Sequence, residues 1–170
     1  MSFVIEQASF PLQPGTEDQA EQGRRLVTRA PPPGFNAIAD REFLEMLDGY
    51  RAYGGLARLQ EVLSLFRQRP GVADLSTLAC WMVSRKVVCF EWQQQSWFPL
   101  FQLDREQLRP KASLQQVLAE LSQVYDPWDL AYWFARPSPW LDDRSPVQVF
   151  DSDLQAVLYA ARADRFVASG

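Results

Sequence analysis

Histidine is absent from all 170 residues of this chain. Its absence removes the commonest general base in enzymes and the commonest side-chain ligand for transition metals. Ser-His-Asp and Cys-His catalytic sites are therefore excluded. The two cysteines, Cys80 and Cys89, cannot supply the four ligands of a structural zinc site. The sequence thus predicts a protein that is not an enzyme and that needs no metal or cofactor.

Cysteine is also scarce, and each of the two stands in an apolar run, at residues 78–81 and 87–90. Scaffolds held together by disulfides are smaller and richer in cysteine. Because an isolated cysteine packs as a small hydrophobic side chain, we predict two buried, reduced thiols.

Long apolar runs and export signals are missing as well. No stretch is long enough to cross a bilayer, and the N-terminus lacks the basic and apolar segments of a secretory signal. Charge of either sign is modest, since 17 Lys and Arg against 21 Asp and Glu give a formal net charge of −4. This balance provides no general attraction to nucleic acid or anionic membranes. We therefore predict a cytoplasmic protein without a membrane partner.

Apolar residues, in contrast, make up 47% of the chain and recur at helical spacing. The pattern predicts helices at residues 41–53, 56–68, 75–82, 114–125, 128–135, 147–150 and 153–167. Apolar runs at 86–92 and 97–103 flank a polar tip and predict a β-hairpin. Pro99 has no amide hydrogen, so we expect it off the ladder or at an edge. The expected fold class is mainly α, a small helical bundle with one β-hairpin.

Proline and glycine suggest how the chain is divided. Residues 1–36 contain the cluster Pro31–Gly34 and predict a flexible N-terminal arm. Residues 40–103 are predicted to form a helical region with the hairpin, similar to a degenerate DNA-binding helix-turn-helix with 74–86 as its recognition segment. Residues 104–170 are predicted to form a second helical domain.

The C-terminal stretch carries an ordered set of motifs. They are a tryptophan-rich helix at 126–134, a proline-rich turn at 137–147, and a helix at 153–162 that ends in Ala-Ala-Arg. A segment with the pattern aromatic-Pro-x-aromatic-Gln-Leu precedes them at 98–103. In this order the motifs resemble the toxin-binding domain of the MbcA/ParS/Xre antitoxin family, and the likeness covers roughly residues 75–167.

Two residues depart from the family pattern. Ser138 stands where the family usually has Asn, and Asp143 stands where it usually has Gly. Glycine adopts positive φ readily and aspartate tolerates it, so we expect the turn to persist.

The resemblance implies an antitoxin-like protein whose C-terminal domain neutralises a cognate toxin of the RES fold, a class that consumes NAD. It also implies a homo-oligomer and repression of its own operon through operator DNA. Tryptophan and arginine are enriched in binding hot spots. On that basis the candidate partner-binding residues are Trp128, Trp133, Trp140, Arg144, Arg162 and Arg165. The same side chains also allow a structural interpretation, because tryptophans fill cores and arginines near helix ends are commonly solvated.

A weaker nucleic-acid site is predicted at Ser84, Arg85 and Lys86, where basic side chains near a helix end can contact phosphate. Two alternatives to the antitoxin hypothesis remain open. One is a DNA-binding autoregulator, and the other is an adaptor or structural protein that keeps the fold without either activity.

Overall fold

The structure is a computed structural model that describes residues 36–69 and 74–170. The predicted arm lies outside the described residues except for Asn36. The helices and strands are α1 (Ala37–Tyr50), β1 (Leu56–Arg58), α2 (Leu59–Arg67), α3 (Leu75–Val83), β2 (Phe90–Trp92), β3 (Gln95–Pro99), α4 (Ala112–Leu121), α5 (Pro127–Ala135), α6 (Pro146–Val149) and α7 (Leu154–Ser169). Short 3-10 turns lie at Arg51–Tyr53, Leu100–Gln102 and Pro139–Leu141. The predicted fold class, mainly α with a small β element, is confirmed.

Side-chain caps mark where several helices begin. Asp74, Asp126 and Asp153 each accept a backbone N–H of the first turn, in α3, α5 and α7 respectively. The sequence predicts the caps Asp74 and Asp126 from their positions just before apolar segments. For the last helix it predicts Asp151 or Ser152, and this prediction is wrong because Asp153 is the cap. Helix α1 begins earlier than predicted, because Asn36 and not Asp40 is its cap.

The predicted helix at residues 56–68 is wrong in its first turn. Leu56–Arg58 form β1, and α2 begins only at Leu59. Gly54 and Gly55, with φ of +105° and +82°, turn the chain out of the preceding 3-10 turn. Strand β1 then pairs antiparallel with β3. Because this partner is distant in sequence, local apolar spacing does not reveal it.

The predicted β-hairpin is present, but its strands are shorter than expected. Strand β3 is the central strand of a three-stranded antiparallel sheet with the order β1-β3-β2. Pro99 ends β3 opposite Leu56, at the end of the ladder. A proline is tolerated there because no internal ladder bond depends on its nitrogen.

Where the predicted strands do not pair, the side chain of a buried glutamine forms the hydrogen bonds to the backbone. Gln102 is fully buried. Its Oε1 accepts the Val88 N–H at 2.7 Å, and its Nε2 donates to the Val88 carbonyl at 2.8 Å. These two bonds satisfy backbone groups that a strand would otherwise have to satisfy. The predicted strands at 86–92 and 97–103 therefore pair only over β2 and β3.

One hydrophobic core joins the two halves that the sequence predicts as separate domains. Phe43 and Tyr50 of α1 belong to the same buried cluster as Phe134 of α5. The Tyr50 hydroxyl also donates a 2.6 Å hydrogen bond to the Ala131 carbonyl of α5. Asn36–Gly170 form one compact unit. The predicted boundary between residues 103 and 104 therefore does not separate two domains.

Candidate partner-binding surface

One carboxylate joins the three motifs of the C-terminal stretch. Asp164 of α7 accepts the Trp133 Nε1–H at 2.7 Å and the Trp140 Nε1–H at 2.9 Å. Trp133 belongs to α5, and Trp140 belongs to the 3-10 turn of the proline-rich segment. The tryptophan-rich helix, the proline-rich turn and the last helix therefore form a single unit in which both indole donors are satisfied.

The proline-rich turn closes on Ser138. The Ser138 N–H donates to the Arg144 carbonyl at 3.0 Å, and the Ser138 carbonyl accepts the Asp143 N–H at 3.1 Å. Asp142 and Asp143 have φ of +54° and +58°, in the left-handed region that favours glycine. The expectation that Asp143 tolerates a positive φ is confirmed.

The three predicted partner-binding tryptophans differ in exposure. Trp133 is only 1% exposed, so its assignment as a partner-binding residue is corrected to a core residue. Trp128 is half-buried, donates from Nε1 to Glu42 at 2.9 Å and lies edge-on to Phe90. Trp140 keeps 43% of its surface exposed. Among the three, Trp140 offers the most surface to another molecule.

An exposed aromatic face covers the outer side of α7. We define it by Trp140, Tyr159, Phe166 and Val167, whose exposed fractions are 43%, 62%, 82% and 70%. The rings of Trp140 and Tyr159 meet edge-on with their centroids 6.2 Å apart. Tyr159 and Phe166 lie on the same side of α7, because a spacing of seven residues is about two helical turns.

Three members of the aromatic face, Tyr159, Phe166 and Val167, are missing from the sequence-based assignment. The sequence contains a signal that could have identified these three residues as exposed. The predicted inner face of the last helix runs through Leu154 and Leu158, and large apolar side chains outside that face have no place in the core.

Arg162 and Arg165 form a shared ion pair with Glu120 of α4. The Arg162 Nε lies 2.9 Å and the Arg165 Nη1 lies 2.5 Å from the Glu120 carboxylate. The hydrogen bond from Arg162 lowers the pKa of Glu120 below its ordinary value, and the charge of Arg165 adds to this effect. The ion pair holds α7 against α4. Arg162 lies one turn from both Tyr159 and Phe166 and is exposed, so it remains at the edge of the aromatic face.

Arg144 is exposed and interacts within its own turn. Its Nε donates to the Leu141 carbonyl at 3.3 Å, and its guanidinium lies 4.0 Å from the Asp142 carboxylate. Exposed ion pairs of this kind contribute little to stability. Arg144 can therefore exchange these contacts for a carboxylate on a partner.

The predicted nucleic-acid segment, residues 84–86, lies directly after the last residue of α3. The Ser84 hydroxyl donates to the Cys80 carbonyl at 2.5 Å, and the Arg85 Nη1 donates to the Ser122 carbonyl at 2.6 Å. Lys86 is exposed. Two of the three side chains are thus engaged within the chain, and contact with nucleic acid stays a prediction.

Both cysteines are free thiols. Cys80 is exposed on α3, so the prediction of a buried thiol is wrong there, whereas Cys89 is half-buried. Burial, with a smaller contribution from the charge of Glu91, raises the pKa of Cys89 to about 11. At neutral pH this thiol stays protonated and poorly reactive.

No family model, no curated protein and no solved structure matches the chain. In residues 36–69 and 74–170, no group of side chains has the composition to hold a metal ion. None of the helices described in those ranges is long and apolar enough to span a membrane. The functional argument therefore rests on the aromatic face and the residues around it.

Proposed function

We propose that the protein is antitoxin-like and that it binds and neutralises a cognate RES-type toxin through the aromatic face. The observation that carries this proposal is the exposure of Trp140, Tyr159, Phe166 and Val167 on one unit. Exposed apolar patches on folded domains mark interaction sites. The motifs that build this unit, at residues 126–162, resemble the family's toxin-binding domain and supply the class of partner.

The chemistry of the surface suits a protein partner. Tryptophan and tyrosine provide a large contact area and lose little side-chain entropy on binding. Arg144 is an exposed cation in the same proline-rich turn as Trp140, and a guanidinium can bind a carboxylate with two parallel hydrogen bonds. We therefore expect the contact surface of the toxin to have an apolar centre with acidic residues around it.

Contacts within the chain position part of the aromatic face. The hydrogen bond to Asp164 fixes the ring of Trp140, and the ion pair with Glu120 fixes α7. A surface that is already ordered loses less conformational entropy when it binds. The positioning of Trp140 and α7 therefore supports binding by a small set of side chains.

Co-expression with the toxin encoded by the adjacent gene tests the proposal. We expect the wild-type chain to co-purify with the toxin and to restore growth. The variant with both Tyr159→Asp and Phe166→Asp should do neither. A matched variant with Ile38→Asp and Leu44→Asp, two exposed apolar residues of α1, should behave as wild type. Circular dichroism confirms that each variant is folded.

Two outcomes would overturn the proposal. One is a wild-type chain that neither co-purifies with the toxin nor restores growth. The other is an aromatic-face variant that neutralises the toxin as well as wild type does. Binding without rescue of growth would instead indicate the adaptor alternative.

The alternative of a DNA-binding autoregulator gains no support from α3. Leu75–Val83, the helix at the predicted recognition position, contains no arginine, lysine, asparagine or glutamine. These are the side chains that read base edges most often in the major groove. The helix therefore lacks the chemistry for direct readout of an operator.

A further inference from the structure

Helix α3 exposes apolar side chains on its outer side, where Ser76 is the exposed polar residue. Its nine residues include no charged side chain. The inner side packs into a second hydrophobic cluster, in which Leu78 is fully buried. The outer side leaves 61% of Leu75 and 87% of Val83 exposed, with Ala79 also exposed between them. Large apolar side chains exposed together on one side of a helix are typical of an interaction surface, so we expect another surface to cover the outer side.

We propose that a second copy of this chain covers the outer side of α3, packed antiparallel about a two-fold axis at Ala79. Leu75 and Val83 lie at equal sequence distances from Ala79. In this arrangement Leu75 of each copy therefore faces Val83 of the other, and the contact is isologous. The short side chain of Ala79 at the axis lets the two helices approach closely.

The shape of the surface favours a second copy over an unrelated protein. A pocket of about 200 Å³ lies beside Val83 and is lined mainly by apolar side chains, among them Met82, Leu118 and Leu130. Leu75 projects from the opposite end of the same helix. An antiparallel second copy would bring its own Leu75 to this pocket, so one surface carries both the projecting side chain and its receptor.

Charge at the two ends of α3 is also self-complementary. Asp74 caps the start of the helix, and Arg85 and Lys86 follow its end. Antiparallel packing places Asp74 of one copy near Lys86 of the other, and it places opposite ends of the two helix dipoles together. Parallel packing would bring like charges together, which is unfavourable.

Sedimentation velocity of the full chain between about 5 and 500 µM tests for this dimer. A contact centred on one short helix is small, so we expect a weak dimer whose share rises across that range. Val83→Asp places a carboxylate at both ends of the contact and should return the mass to that of a monomer. Ile38→Asp, at a residue of α1 with comparable exposure, should leave dimerisation unchanged.

A cysteine at position 79 tests the two-fold axis directly. Helix axes 8–10 Å apart place facing Cα atoms roughly 3.5–5.5 Å apart, and a disulfide can bridge the upper part of that range. In a Cys80→Ser background, mild oxidation should therefore link Ala79→Cys chains into covalent dimers. Gln155→Cys, at an exposed position of α7, should remain unlinked in the same background.

A monomer at every concentration would overturn the proposal, and so would a dimer that Val83→Asp leaves intact. Loss of toxin binding or promoter binding in Val83→Asp, with the self-association unchanged, would mean that another occupant uses this side of α3. The test is separate from that of the proposed function, because variants at Tyr159 and Phe166 should still dimerise.

Discussion

Asp164 is the side chain on which the geometry of the candidate surface depends most. Its two oxygens each accept one indole N–H, from Trp133 in the core and from Trp140 at the surface. The first bond satisfies a donor that has no access to water. The second holds the Trp140 ring next to Tyr159. A single residue thus links the stability of α5 to the shape of the aromatic face.

Replacing Asp164 by alanine should lower the free energy of unfolding by about 1–3 kcal/mol, because the Trp133 Nε1–H would be left buried without an acceptor. Urea unfolding followed by fluorescence measures this loss. Gln155→Ala, at an exposed position of the same helix, should change stability by less than about 0.5 kcal/mol. Equal stabilities of the two variants would contradict the role of Asp164.

The ion pair at Glu120 makes part of the stability depend on pH. The hydrogen bond from Arg162 lowers the pKa of Glu120 in the folded chain relative to the unfolded chain. Its contribution is therefore present above the unfolded pKa and is lost as the pH falls through the folded pKa. Urea midpoints of wild type and Glu120→Gln should differ at about pH 7 and converge at about pH 3.

Glu106→Gln is the matched control for this titration. Glu106 is exposed, and its carboxylate forms no ion pair with the residues that the structure describes. Its midpoint should follow wild type at every pH. A difference between wild type and Glu120→Gln that persists unchanged in acid would rule out the proposed origin of the effect.

Among the elements, the turn between β2 and β3 uses residues that do not favour its conformation. Gln93 and Gln94 have φ of +47° and +61°, the left-handed conformation that a two-residue type I′ turn needs at both positions. Asn-Gly is the preferred pair for that turn. Gln93→Asn combined with Gln94→Gly should therefore raise the free energy of unfolding by roughly 1 kcal/mol.

Thermal and urea unfolding of the Asn-Gly variant measure this gain. Gln95→Gly places glycine at the first residue of β3 instead and should destabilise the chain, because glycine loses more conformational freedom on folding than glutamine does. An Asn-Gly variant that is less stable than wild type would show that the turn has another conformation.

Elements set by neighbouring residues are predictable from the sequence, and elements set by distant contacts are not. Asp126 followed by Pro127 predicts the start of α5 correctly, since a cap and a first-turn proline act locally. Leu56–Arg58 fit a helical pattern, yet β3 pairs with them as a strand. The core that α1 shares with α5 is also not predictable from local sequence, because only tertiary packing brings these two helices together.

The candidate surface is predictable to a similar extent. The sequence predicts that tryptophans of α5 and the proline-rich turn bind a partner. It does not predict that Trp133 is buried and Trp140 is exposed. The direction of each side chain depends on where α7 lies, and α7 is positioned by Asp164 and Glu120 through contacts with distant residues.

At the scale of the whole molecule, residues 36–170 form one unit with two separate apolar surfaces. The aromatic face belongs to the turn at Trp140 and to α7, and the proposed contact between copies belongs to α3. No residue is shared between them. The proposed contact with a toxin and the proposed contact between copies therefore use different side chains.

An interface with an aromatic centre should depend only moderately on salt. We expect the toxin affinity to change by less than about tenfold between low and high salt, because apolar burial is not screened. Binding to DNA would instead weaken by several orders of magnitude as counterion release is suppressed. Titrations at a series of salt concentrations distinguish the two, and a steep salt dependence would contradict an aromatic interface.

The most direct test of the proposed function is the affinity of the toxin for single alanine variants, measured by calorimetric titration. Phe166→Ala should weaken binding about tenfold or more, since a hot-spot side chain contributes more than about 1 kcal/mol. Ile38→Ala, which shortens another highly exposed apolar side chain, in α1, should bind as wild type does. Identical affinities of Phe166→Ala and wild type would contradict the account.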